Sequence, residues 1–413
     1  MKTWIATRRR QSKNPSELGL DEPGLESLAN RIRTYAENYE AELIEFRHKM
    51  HSEPEIAFTE TLATQRVAER LEKAGLHPQL YPDHTGLYCD ISGQKSRMVG
   101  LRADLDALAV IDVKTASYKS KRPGLCHACG HDVHTTIVLG AGLVLADLAR
   151  EHLLQNSVRL IFQPAEEAMP GGALKVIEAG TLQPLSAAYA LHCDPTVQAG
   201  QVGLLSGPIT SASDYLELRI TSLEDSSHTL EGTLISAWAG ITSLIQQAIS
   251  NQVDPRSRLS IIWGNVQTEP MLDAASAVTS RGTLRCTDEA LWESAPKLLG
   301  RIISDAAKPY RVQAELIYQR GVPPTVNSHR EVQVVSQAST LMLGDSSITL
   351  SKQSLAGEDF AWYLREVPGS LTRLGVRSPG KQEVVDLHNG NFDVDETAIS
   401  VGVELLTMTA SIG

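Results

Sequence analysis

The sequence predicts an α/β fold with a smaller α+β unit inserted into it, and three observations lead there. The chain has 413 residues, too many for one ordinary core, so two domains are the natural expectation. Short apolar runs at 98–101, 158–162 and 187–191 alternate with long helical patterns such as 134–148, the rhythm of a largely parallel sheet covered by helices. After Gly207 the texture changes to a strand, helix, strand, strand, helix, strand order, which a ferredoxin-like insert gives.

Taken in order, residues 1–24 read as a polar tail. Arg8, Arg9 and Arg10 look like the start of a twin-arginine export signal, but the stretch from Gln11 to Asp21 is polar where an apolar run should follow. Over 25–48, Leu25, Leu28, Ile32, Tyr35, Tyr39 and Leu43 recur at helical spacing, and 61–74 repeats the pattern ahead of Gly75; both predict surface helices. The insert shows strand patterns at 215–221, 259–266, 277–285 and 312–318 and helical ones at 234–249 and 291–303. Gly321, Pro323 and Pro324 mark the return, and a final strand-rich segment holds Leu374 and His388. The first domain is therefore expected at 25–209 and 320–413, and the insert at 210–319.

Composition is that of a globular protein, 42% hydrophobic and 21% charged. A formal net charge of −11 argues against a nucleic-acid or anionic-membrane partner, both of which demand a basic face; a small-molecule substrate fits better. No stretch approaches the roughly 18 apolar residues of a membrane span. Cys89, Cys126, Cys129, Cys193 and Cys286, without a secretory signal, read as reduced thiols in the cytoplasm and not as a disulfide framework.

In open parallel sheets the loops at the carboxyl ends of strands build the site. Four apolar runs lead into polar residues: 98–101 into Arg102, Asp104 and Asp106; 158–162 into Glu166 and Glu167; 187–191 into His192; and 384–387 into His388. Between the first two lies His127-Ala-Cys129-Gly-His131-Asp132-Val-His134, which opens a helix. Thiolate, imidazole and carboxylate together are the ligand set for zinc or a similar divalent ion, and they are too many for one tetrahedral site. Two ions sharing a bridging thiolate or carboxylate would use them well. Glu166 and Glu167 then divide, one binding metal and the other serving as general base. Cys126 and Cys129 also form a Cys-x-x-Cys pair, as in a zinc knuckle or redox dithiol, but no second pair follows. Asp106 and Asp132 read equally as site residues or as helix caps and ion-pair partners, and His134 as a pocket or helix-face residue.

At this point the chain resembles peptidase family M20, in its amidohydrolase branch of aminoacylase, hippurate-hydrolase, aminobenzoyl-glutamate-hydrolase and auxin-conjugate-hydrolase type. The matching stretches are Arg47-His-Lys-Met-His51-Ser-Glu-Pro54-Glu55, Gly100-Leu-Arg-Ala-Asp104-Leu-Asp106, His127-Ala-Cys-Gly-His-Asp132, Phe162-Gln-Pro-Ala-Glu-Glu167, Gly357-Glu-Asp-Phe360 and Leu387-His-Asn-Gly-Asn-Phe-Asp-Val-Asp-Glu396. They stand in the family's order. The resemblance implies a metallopeptidase-like α/β catalytic domain, an inserted lid and dimerisation domain, and a homodimer formed through it. It implies two divalent ions, zinc first and manganese, cobalt or nickel as alternatives, held by Cys129, His131, Glu167, His192 and His388 with Cys129 bridging. Glu166 would be the general base, Asp104 would orient a ligand histidine, and Asp132 and Glu358 would stand near substrate or ligands. His228 would help bind the oxyanion in a partner subunit's site. The implied reaction is hydrolysis of the amide of a small N-acyl amino acid or related conjugate by metal-bound hydroxide. The alternatives are a dipeptidase or carboxypeptidase, or a metal-binding homologue without catalysis.

Departures from the family pattern gather in the insert. A Gly-Gly-His element is expected, and Asp225-Ser226-Ser227-His228 stands there; an Asn-x-Ile-Pro-like segment is replaced by Met271-Leu272-Asp273-Ala-Ala275 ahead of Gly282-Thr-Leu-Arg285. Losing glycines removes positive-φ conformations from the loop that presents His228. An intact ligand set with a diverged lid points to altered specificity before lost chemistry.

Overall fold

A computed structural model describes residues 22–223, 231–269 and 277–413. Two helices, α1 (Glu22–Ser52) and α2 (Thr61–Lys73), lead into β1 (Gln79–Leu80), β2 (Leu87–Ile91), β3 (Lys95–Asp104), α3 (His131–Arg150), β4 (Asn156–Gln163), α4 (Ala173–Glu178), β5 (Leu185–Gln198), β6 (Val202–Leu204) and β7 (Gly207–Pro208). Next come β8 (Ala212–Ser222), α5 (Glu231–Gln252), β9 (Ser260–Glu269), β10 (Ala277–Cys286), α6 (Glu289–Ala307) and β11 (Val312–Val322). The chain then returns through β12 (Val326–Asn327), α7 (His329–Leu343), β13 (Ile348–Leu350), α8 (Phe360–Glu366), β14 (Gly369–Arg377) and α9 (Thr397–Ile412).

The large sheet runs β1-β2-β4-β3-β5-β14-β6-β13. Its centre, β4-β3-β5-β14, is parallel, while β2 and β6 join antiparallel on either side. Central strands are apolar on both faces because helices cover both. Leu160, Ala187, Tyr189 and Leu191 pack with α1, α3 and α9, while Ile161, Ala188 and Ala190 pack with α4 and α8. Strand β14, late in the chain, sits between β5 and β6.

Residues 212–322 form a separate antiparallel sheet, β11-β8-β10-β9, with α5 and α6 on one face and their own apolar cluster around Leu218, Ile241, Trp292 and Leu299. The βαββαβ order and this strand order are ferredoxin-like. Where the chain leaves and re-enters the large sheet, β7 pairs with β12 and the Thr210 and Thr325 hydroxyls hydrogen-bond at 2.6 Å.

Three expectations need correction. Residues 384–387 are not a strand: β14 ends at Arg377, Pro379 and Gly380 turn the chain, and Val384 lies exposed in a loop. The terminal segment expected to be strand-rich ends in α9, which is buried almost throughout. A stretch of membrane-span length and apolarity does occur, in α3, but 94% of that window is buried inside the fold, so it is the central core helix.

Asn156, at the start of β4 and buried, donates to the carbonyls of Ala410 at 3.1 Å and Gly413 at 2.9 Å, tying the end of α9 to the sheet. Asn156→Ala strands those carbonyls, and urea denaturation should show a loss of about 1–3 kcal/mol with kcat/KM unchanged.

Candidate metal centre

The ends of β3, β4 and β5 lie side by side, and the N-terminus of α3 stands against them. Gly130 adopts φ +87, and a Cβ there would meet Cys193 Sγ at 2.7 Å; only glycine lets Cys129 and His131 both turn inward. Ala165, at φ 55, bends the chain after β4 so that Glu166 and Glu167 enter the site, and His388, at φ 64, is fixed by its N–H on the Ala128 carbonyl. These left-handed non-glycine residues persist because surrounding bonds determine them.

The resulting donor atoms fall into two sets that share one sulfur. Cys129, His131 and His192 lie within 4.8 Å of one another, and so do Cys129, Glu167 and His388. Cys129 Sγ is 3.6 Å from His192 Nε2, and His388 Nε2 is 3.3 Å from Glu167 Oε1. Glu166 stands alongside, its Oε2 3.8 Å from His131 Nε2.

Each ring is oriented from behind. His131 Nδ1 lies 2.9 Å from the Asp106 carbonyl and His192 Nδ1 2.8 Å from the Cys193 carbonyl, so both Nε2 lone pairs face inward. Asp104 differs from expectation. Its Oδ1 takes the Nδ1–H of His134 at 2.7 Å and stays 3.9 Å from His131. His134 Nε2 in turn accepts from the Cys193 N–H at 2.9 Å, so Asp104 acts on the backbone beside His192. His134 is thus a buried relay and not a donor to the centre. Asp106 accepts the Glu166 N–H at 3.0 Å and the Glu167 N–H at 2.9 Å, a role the sequence did not disclose.

Of the remaining sequence-derived residues, Asp132 is buried and paired with Arg47 and His51, each at 2.8 Å. Glu358 lines the cavity with Oε1 3.2 Å from Arg102. Arg102 is a hub, reaching Asp104 at 2.8 Å, Asp359 at 2.5 Å and Gln163 at 3.1 Å. Cys126 is not linked to Cys129; Lys114 Nζ approaches its sulfur at 3.4 Å, and all five cysteines are free. His228 lies outside the described residues, as do Ser226, Ser227, Leu272 and Asp273.

The donors fit divalent cations. His131 Nε2 and Glu167 Oε1 are buried without a hydrogen-bond partner, a state that is costly unless something binds them. Burial, then Arg373 and His134, holds His192 well below the ordinary imidazole value, so it stays a neutral donor. Burial also pushes the Cys129 thiol up; a cation in place of its proton restores the thiolate. For Glu166, burial reinforced by Glu358, Glu167 and Asp359 raises the carboxyl well above its usual range. A cavity of about 550 Å³ opens over the centre, walled by the loop around Ser354 and by Arg285 of β10.

A parallel sheet whose strand ends carry such a donor set defines a metal-dependent amidohydrolase. The chain belongs to Peptidase family M20/M25/M40, whose sequence model matches residues 100–411. A Rhodococcus jostii protein named "Putative glutamate--cysteine ligase 2-3" is 38% identical over 372 residues; the match covers 89% of this chain but 46% of that relative, so the chain spans about half its length. N-acetyl-L-cysteine deacetylase of Bacillus subtilis is 31% identical over 368 residues, 87% of this chain and 85% of that one. The crystal structure of Bacillus subtilis YXEP, a dinuclear metal binding peptidase of the M20 family, superposes with a TM-score of 0.80 at 28% identity, covering 91% of this chain and 98% of that one.

Asp106→Asn leaves one of the two glutamate N–H groups facing another donor. Metal affinity, measured by competition with a chelator, should fall about 10- to 100-fold while circular dichroism stays unchanged.

Proposed function

We propose that the protein hydrolyses the amide bond of small N-acyl amino acids or related conjugates, with Glu166 as general base and then acid. One observation carries this: Cys129 belongs to both donor sets, and the Glu166 carboxyl stands beside them, 3.8 Å from His131 Nε2. Cys129, Glu167 and His388 would hold one ion, and Cys129, His131 and His192 the other. Two divalent ions there would polarise the substrate carbonyl and make a water acidic at neutral pH. The thiolate favours zinc.

Asp106 fixes the backbone of both glutamates, so Glu167 can stay in the ligand set while Glu166 remains free to move a proton. Glu166 takes the proton of the attacking water and passes it to the leaving nitrogen as the C–N bond breaks. Its raised affinity for protons, from burial and the acids around it, suits the holding step. The acylated-amino-acid substrate class is supported by the similarity to N-acetyl-L-cysteine deacetylase. In the same proposal residues 210–319 serve as lid and dimerisation surface, His228 binds the oxyanion in the partner subunit's site, and the enzyme works in the cytoplasm.

Glu166→Gln should keep its metal by elemental analysis and lose at least about 10²- to 10⁴-fold in kcat; near-normal turnover would remove the assignment. Chelation should abolish activity and added zinc should return it. A panel of acetylated, benzoylated and fatty-acylated amino acids against dipeptides tests the substrate class, and preference for dipeptides would replace it.

A further inference from the structure

A central parallel strand is a poor place for a charge, yet β14 carries Arg373 within Leu371-Thr-Arg-Leu374. Its residue is 8% exposed and lines the cavity over the metal centre. In register it stands opposite His192 of β5. Among the described residues no carboxylate pairs with it and no hydrogen bond of its guanidinium is found. Two other arginines as deeply buried are paired: Arg47 reaches Asp132 and Asp393, and Arg102 reaches Asp104 and Asp359.

None of the acids around the cavity pairs with Arg373, although Glu358 Oε2 is itself buried without a hydrogen-bond partner. Glu166 and Glu167 belong to the centre, and Glu358 Oε1 is taken by Arg102 and the Phe360 N–H. Asp194 accepts from the N–H and hydroxyl of Thr196, at 2.8 and 2.6 Å, and Asp386 is exposed on the loop before His388. An unpaired guanidinium facing the cavity beside a site built for two cations adds a like charge that an arriving anion would offset. Its planar fork matches a carboxylate in bidentate geometry.

We propose that Arg373 is the specificity-determining anchor for the substrate's carboxylate, the group common to every N-acyl amino acid. The proposal rests on the hydrolase activity proposed above and names the group by which that site selects its substrate. Arg285 of β10 borders the same cavity, with Nη1 unpartnered, and is the competing anchor.

The test uses the metal-loaded full chain with N-acetyl-L-alanine and its carboxamide, N-acetyl-L-alaninamide. Arg373→Gln should raise KM for the carboxylate about 10- to 100-fold with kcat nearly constant, leave the carboxamide kinetics unchanged, and keep its metal content. Arg373→Lys should recover part of the loss. Equal losses on both compounds, loss of metal from Arg373→Gln, or a carboxylate-specific loss in Arg285→Gln alone would overturn the proposal. If the wild type cleaves neither compound, the activity proposed above fails for this class. Titration calorimetry of both compounds on wild type and Arg373→Gln then decides the anchor: weaker binding of the carboxylate alone supports it, and indifference sinks it.

Discussion

One carboxylate, Asp106, closes over two successive backbone N–H groups and thereby sets the whole centre. Glu166 and Glu167 leave β4 through a left-handed residue, and without a fixed acceptor their side chains would have no reason to divide as they do. The same residue's carbonyl turns His131. A single residue following β3 therefore governs donors that follow the next strand and that open α3. Such an arrangement is rigid because both oxygens of the buried Asp106 carboxylate and its carbonyl are hydrogen-bonded.

A second layer ties the strands to one another by charge. Arg102 on β3 joins Asp104 on its own strand, Gln163 on β4 and Asp359 ahead of α8. Burial opposes a guanidinium there, but Glu358, Asp104 and Asp359 outweigh it. Removing one member would leave the others charged and dry, which is why such clusters are sensitive to loss of a partner even when their net contribution is modest. Asp104 then passes through His134 to the amide beside His192, so the buried charges also aim a donor.

Much of this was legible in the sequence. Strands β3, β4 and β5 announced themselves as short apolar runs, interrupted in β4 only by Arg159, because both faces of the sheet are covered, and the polar residues just beyond them marked the site. The helical stretch beginning near His131 was clear for the same reason. Helix α9 was not, since it is apolar on nearly every side and presents no amphipathic stripe. The run before His388 misled because its apolar residues serve an exposed loop. Partners were least visible: spacing could not tell that Asp104 meets His134 or that Asp106 grips two amides, because both are contacts between distant segments. Arg373 did leave a trace, a lone charge inside a strand otherwise fit for burial, and its meaning emerged only with its neighbours.

The position of β14 carries a consequence for synthesis. During translation β5 and β6 emerge long before the strand that separates them, with the whole 212–322 sheet made in between. Until residues 369–377 leave the ribosome, β5 presents an open hydrogen-bonding edge of apolar residues, the kind of edge that recruits other chains. The smaller sheet, contiguous in sequence, has all its strands once residue 322 has emerged and can form first. Nascent or truncated chains lacking residues 369–413 are therefore the form in which it is most exposed to aggregation and most dependent on chaperones.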